Sequence, residues 1–237
     1  MDAPGLARTA RLLADDTRAA MCLALLDGRA WTAGELARHT GVAASTATEH
    51  LHRLIEGGLL TQEHQGRHRY VRLNGPDVAE LVETLSAHAG PPAPVRSLRA
   101  ARVSAVMAAG RTCYDHLAGR LGVAITDAMT EQMLIDQHNG FRLTDDGVAW
   151  FGTRLRVELD PARTNRPVAR SCVDWTERRA HLAGLAGSRL CEVALDRAWV
   201  KRVSGTRAVR VTPSGESALR DLFGEGVCHT VAEAGSH

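Results

Sequence analysis

Residues 32 to 73 constrain this chain more than any other stretch. They read TAGELARHTGVAASTATEHLHRLIEGGLLTQEHQGRHRYVRL. Residues 33 to 39 form a short predicted helix carrying apolar Leu36 and Ala37. Gly41 makes the turn, because a residue without Cβ takes positive φ at little cost. A second helix is expected from Ala44 to Glu56, where Ala47, Leu51, Leu54 and Ile55 recur at helical spacing and should face a core. Ser45, Thr46, Thr48, Glu49, His50, His52 and Arg53 fall on the rest of that helix. Gly57-Gly58 stops it, Leu59-Leu60 opens a strand, and Gln65-Gly66 marks a hairpin turn. Arg67, His68 and Arg69 lead the return strand, with Arg72 beyond. Helix, turn, helix and basic hairpin in this order predict a module that lays its second helix in the major groove of DNA, with hairpin arginines on phosphate or in the minor groove.

The pattern ELA-x-x-x-GV-x-x-STAT-x-HL-x-x-L-x-x-GGLL, followed by GRHRYVRL, resembles the ArsR/SmtB family of winged-helix repressors. The resemblance covers the first third of the chain, beginning near Leu12. It implies a bacterial homodimer that leaves its operator when a signal arrives. Its DNA-reading positions fall on Ser45, Thr48 and His50, with Arg67 and Arg69 in the wing. The metal sites known in that family do not carry over. Residues 35 to 39 hold no cysteine pair, and Asp77, Glu80, Glu83 and His88 lack the required spacing.

Charge supports a local reading surface. The chain's net charge is only +2. Residues 38 to 73 nevertheless hold five arginines and five histidines against three acids, whereas the rest of the first 90 residues hold four arginines against eight acids. Positive charge is concentrated on the proposed reading head. No apolar run approaches the ~18 residues of a membrane span, and the N-terminus lacks a signal-peptide core. Five scattered cysteines (Cys22, Cys113, Cys172, Cys191, Cys228) read as reduced thiols. A cytoplasmic protein without a membrane partner is expected.

The fold expected is mainly α with small β-wings, an α+β chain of two domains. Residues 1–89 make the winged helix-turn-helix, with one helix from Leu6 to Leu26 before it and another from about Pro76 to Ala89 after it. Val78, Leu81, Val82 and Leu85 give that last helix an apolar face suited to dimerisation. Residues 90–95 form a linker stiffened by Pro91, Pro92 and Pro94. Residues 96–226 form a second domain, and 227–237 a flexible tail.

The second domain contains a repeat. HLAGRLG at residues 116–122 recurs as HLAGLAG at 181–187, and FRLTDDG at 141–147 recurs as VRVTPSG at 209–215. Two degenerate winged-helix-like repeats, about 113–157 and 178–224, follow. Their recognition segments carry Asp127, Glu131, Glu192 and Asp196, which would repel phosphate, and only Arg207 and Arg210 offer an accessory phosphate contact.

Candidate sensor residues flank the HLAG motifs: Cys113, His116, Cys172, Asp174, Trp175, Arg178 and His181. Cys113 and His116, three apart on a helix, would share a face and suit two metal ligands. Cys172 and His181 could complete four, although nine residues of continuous helix would point them apart. Three alternatives remain. The cysteines could be buried hydrophobes, with Asp174 pairing Arg178 and Trp175 packing on Arg179. Trp150, Phe151, Trp175 and Trp199 could line a cleft for an organic effector. A thiol–imidazole pair could be catalytic, but no oxyanion loop or nucleophile elbow accompanies it, so no enzyme is expected. DNA binding itself requires no cofactor. The signal, whether metal, oxidant or small organic molecule, is left open.

Overall fold

The computed structural model describes residues 2–66, 68–89, 98–164, 166–204 and 206–227. The proline stretch 90–95, Arg67, Cys228 and all but the first residue of the tail 227–237 lie outside these residues. The chain divides into two compact units, 1–82 and 83–237. The division falls inside a helix rather than at the prolines.

The first unit starts with α1 (Ala3–Leu13) and α2 (Asp16–Leu25). The single helix expected over these residues is broken at Ala14-Asp15. Asp15 caps α2 by accepting the Arg18 N–H at 2.9 Å, and the Arg18 guanidinium donates to the Leu12 and Arg11 carbonyls at 2.5 and 2.8 Å. That side chain satisfies the orphan carbonyls at the end of α1. Next come β1 (Trp31–Thr32), α3 (Ala33–Thr40) and α4 (Ala44–Glu56). Thr32 and Glu35 form a reciprocal capping box at the start of α3, and Gly41 ends it at φ 71°. β2 (Leu60–Gln65) and β3 (His68–Leu73) form the wing, and β1 pairs on β3 to give an antiparallel sheet of order β1-β3-β2. Met21, Leu25, Leu36, Ala47, Leu51, Leu54 and Val71 are fully buried in the core beneath it. α5 (Pro76–His88) begins in this unit and ends in the second.

The second unit opens with α6 (Leu98–Ala109). Two copies of a ββαββα unit follow. The first is β4 (Arg111–Cys113), β5 (His116–Ala118), α7 (Gly119–Glu131), β6 (Ile135–Asp136), β7 (Arg142–Leu143) and α8 (Asp145–Trp150). The second is β8 (Arg170–Val173), β9 (Ala180–Ala183), α9 (Gly184–Asp196), β10 (Val200–Arg202), β11 (Val209–Val211) and α10 (Pro213–Phe223). Each pair of strands is an antiparallel hairpin. The repeat expected from the sequence is present, and Thr144 and Thr212 occupy the same N-cap role, accepting the Gly147 and Gly215 N–H groups at 3.0 Å. In both copies HLAG is the end of a strand running into a helix.

The two copies interlock. α9 packs on β5 and α7 packs on β9. Glycine permits this approach at equivalent places. A Cβ on Gly122 would lie 2.4 Å from the Leu117 carbonyl oxygen, and one on Gly187 would lie 2.4 Å from that of Leu182. The same two positions face the other copy's histidine, His181 and His116 respectively. Leu121, Ile125, Met129, Phe151, Leu190 and Leu219 belong to one shared core.

Candidate nucleic-acid interface and buried cysteine–histidine cluster

α4 buries Ala47, Leu51 and Leu54 and turns the rest of its circumference outward. Ser45, Thr48, Glu49, His52 and Arg53 are exposed, and Thr46 is half-buried. The Thr48 hydroxyl donates to the Ala44 carbonyl at 2.9 Å, and Glu49 pairs with Arg53 along the helix. Ala43 at the N-cap supplies no side-chain cap to the first turn of α4, as is also true of α7 and α9, whereas α2 and α3 are capped by Asp15 and Thr32.

His50 is placed differently from the sequence reading. Its side chain is only 16% exposed, with Nδ1 3.5 Å from Arg18 and 3.7 Å from Asp15. It follows Ala47 by three residues and precedes Leu54 by four, which puts it on the edge of the buried stripe. It fixes α4 against the start of α2. Arg18 and Asp15 do this work, and Asp15 also caps α2. In the wing, Arg69 is half-buried opposite exposed His64, and Arg72 pairs with Glu63. Arg67 lies outside the described residues, as does the side chain of His68. On α5, Val82 is buried within the chain, Val78 and Leu81 are half-covered and Leu85 is 48% exposed.

The second unit brings together four of the seven candidate sensor residues. Cys113 and His116 are not on a helix. They are partners across the β4–β5 hairpin, with Tyr114 at φ 57° and Asp115 in the turn. Cys172 and His181 are likewise partners across β8–β9. The phase problem of a continuous helix therefore does not arise. The two hairpins place Cys113 Sγ 3.8 Å from Cys172 Sγ, and His116 Nε2 3.1 Å from His181 Nε2. All four ligand atoms lie within 4.8 Å of one another, and all four residues are buried.

Each histidine has a carboxylate behind it. His116 Nδ1 lies 3.3 Å from Asp115, which Arg166 holds through its two terminal guanidinium nitrogens. His181 Nδ1 lies 3.6 Å from Asp174 Oδ2 and makes no hydrogen bond. Asp174 is fully buried and accepts from Arg111 at 2.9 Å, the Gly119 N–H at 2.6 Å, and the Thr176 N–H and hydroxyl at 2.9 and 2.6 Å. The expected Asp174–Arg178 pair is absent, because Arg178 sits in the β8–β9 loop at φ 54°. Trp175 packs on Arg111, at 4.6 Å, rather than on Arg179, which instead pairs with Asp127. Arg111, Asp115 and Arg166 escaped the sequence reading, since their partners are distant in the chain or unremarkable in type.

The thiols differ sharply in character. Burial pushes Cys22 and Cys191 up to about 12, so these are inert apolar side chains. Burial and the neighbouring thiol also raise Cys113. Cys172 moves the other way, because hydrogen bonds from Cys113, His116 and His181 favour its thiolate. Burial opposes charge on His116, yet its contacts with Asp115 and Cys172 raise it to about 9. Burial likewise works against Asp174, but Arg111, Thr176 and the Gly119 N–H hold its carboxyl well below the usual range.

Among the described residues the four aromatic side chains of the proposed cleft do not share one lining. Phe151 and Trp199 are core residues, Trp150 packs on Phe223, and Trp175 lies on Arg111. Arg207 pairs with buried Glu83 at 2.7 Å and is not presented to phosphate, whereas Arg210 is exposed.

A helix-turn-helix domain family model matches residues 13–63. The HTH-type transcriptional regulator YdfF of Bacillus subtilis (strain 168), itself uncharacterized, is 39% identical over 218 residues, 91% of this chain and 96% of its own length. The chain belongs to the HTH-type transcriptional regulators. Its likeness to YdfF spans both units of the regulator. The HTH-type regulator CmtR of Mycobacterium tuberculosis is 44% identical over 62 residues, 26% of this chain and 52% of CmtR. Among solved structures, the homodimeric winged helix-turn-helix domain of Mb0332 from Mycobacterium bovis is 30% identical, covering 36% of this chain and 79% of that domain at a TM-score of 0.35. The cadmium sensor CmtR of Mycobacterium tuberculosis is 31% identical, covering 38% of this chain and 99% of that one at a TM-score of 0.31.

Proposed function

We propose that this regulator is a repressor that binds an inverted-repeat operator as a homodimer and is released by a signal acting on its second unit. The observation that supports the reading head is the exposed, uncapped N-terminal half of α4. Ser45 and Thr48 stand there with short hydroxyl side chains, at a helix start to which Ala43 gives no side-chain cap. Short donors on a major-groove helix reach base edges, while helix N-termini and wing arginines hold phosphate. Dimerisation uses Leu85, Leu81 and Val78 on α5, the apolar side chains of that helix that the chain itself leaves wholly or partly uncovered. What supports a receiving role for the second unit is the buried cluster of Cys113, His116, Cys172 and His181.

The test is the affinity of the full chain for DNA lying upstream of its own gene, measured by fluorescence anisotropy against random-sequence competitor. Ser45→Ala combined with Thr48→Ala should reduce specific affinity by about 1–3 kcal/mol per lost base contact. Arg69→Ala should lower the slope of log affinity against log salt by ~0.9. Equal affinity for upstream and random DNA, or unchanged binding in the variants, would overturn the proposal.

A further inference from the structure

We propose that Cys113, His116, Cys172 and His181 are the four ligands of a single divalent metal ion of the zinc class, bound at the junction of the two repeats. The proposal is independent of DNA binding and adds a site to the regulator rather than a reading of its first unit.

The donor set is the first argument. Two thiol sulfurs and two imidazole nitrogens suit zinc and similar borderline-soft ions, and oxygen-seeking magnesium or calcium would not choose them. The distances are the second. In a tetrahedron the edge is about 1.63 times the bond, so zinc–sulfur bonds of ~2.3 Å give a sulfur–sulfur edge of ~3.8 Å. The Cys113 and Cys172 sulfurs stand 3.8 Å apart. Zinc–nitrogen bonds of ~2.0–2.1 Å give an edge of ~3.3 Å, against 3.1 Å between the two Nε2 atoms.

Ring orientation supplies the third argument. Asp115 stands 3.3 Å from His116 Nδ1, and Asp174 lies 3.6 Å from His181 Nδ1. Both rings therefore turn Nε2 inward, 3.1 Å apart and within 4.8 Å of the two sulfurs. A carboxylate behind a ligand histidine fixes ring orientation at metal sites. Arg166 and Arg111 in turn fix the two carboxylates.

The placement is the fourth. Each repeat gives one cysteine and one histidine from matching hairpin positions, and Gly122 and Gly187 clear the space in which the opposite histidine lies. With four buried protein ligands there is no side open to substrate, which marks a structural or regulatory ion rather than a catalytic one.

The full chain, purified without chelator under reducing conditions, should carry one zinc per chain by elemental analysis. After stripping, titration with Co2+ alone should give tetrahedral d–d bands and thiolate charge-transfer absorption that saturate at one equivalent. Cys113→Ser with Cys172→Ser should abolish the charge-transfer band. Because that variant could fail to fold, His181→Cys provides a gain: the charge-transfer intensity should rise from that of two thiolates to that of three. A reduced wild-type chain that takes up neither metal, metal content unchanged in the double serine variant, or a His181→Cys spectrum identical to wild type would each overturn the proposal.

Discussion

Arg111→Met tests the charge arrangement that supports the buried cluster. Arg111 and Asp174 side chains are both 0% exposed and meet at 2.9 Å. Removing one partner of a buried pair strands the other, and such losses cost roughly 3–5 kcal/mol. Asp174 would keep its hydrogen bonds from Gly119 and Thr176, which places the expected cost near the lower end, about 3 kcal/mol. The second unit comprises residues 83–237. For a unit of that size each kcal/mol shifts Tm by ~2–4 °C, so a fall of roughly 6–12 °C is expected. Methionine keeps much of the apolar contact with Trp175, while the charge and the hydrogen bonds to the Met107 carbonyl and the Thr176 hydroxyl are lost together. The comparison variant is Arg142→Met, whose pair with Asp136 has the arginine side chain 64% exposed. A surface pair contributes about 0–1 kcal/mol, and its loss should shift Tm by ~4 °C or less. Scanning calorimetry on metal-stripped full-length protein gives both numbers in the same state. Equal shifts for the two variants would refute the argument that burial makes Arg111 indispensable to Asp174.

Two further outcomes follow from backbone geometry and capping. Gly187→Ala should destabilise the second unit by ~2–3 kcal/mol in thermal or denaturant unfolding, since overpacking costs of that order and the new Cβ would meet the Leu182 carbonyl at 2.4 Å. Thr32→Ala should cost ~1 kcal/mol by breaking the capping box of α3. Glu35 lies below its ordinary range because it accepts the Thr32 N–H and hydroxyl. A lowered folded pKa means this stabilisation is complete at neutral pH and disappears as pH falls through the lowered value. The Thr32→Ala deficit should therefore shrink in acid.

The first unit was largely legible because its signals are local. Apolar spacing and glycines gave the limits of α4, and Gln65-Gly66 gave the wing turn. The break between α1 and α2 was hidden, because the apolar pattern runs on through Ala14 and only Asp15 marks the cap. In the second unit the repeat was visible in HLAG and in the T-x-x-G helix starts. The hairpins were not. Cysteine and histidine three residues apart share a helix face but equally oppose each other across a two-residue hairpin turn, and spacing does not distinguish the two. The left-handed Tyr114 in that turn has no sequence signature. The pairing of Arg111 with Asp174 spans 63 residues, beyond the reach of any periodicity. His50 shows the reverse failure. A histidine in a polar helix segment reads as exposed until Arg18 and Asp15 are seen to enclose it.

In the proposed function α4 reads DNA as one half of a symmetric pair. Hydroxyl-radical footprinting of the full chain on DNA upstream of its own gene tests it most directly. Two inverted half-sites should be protected, centred about 10–10.5 base pairs or a multiple of that apart, and both should be lost when Ser45 and Thr48 are changed together to alanine. A footprint without two-fold symmetry, or one that survives that double substitution unchanged, would contradict it.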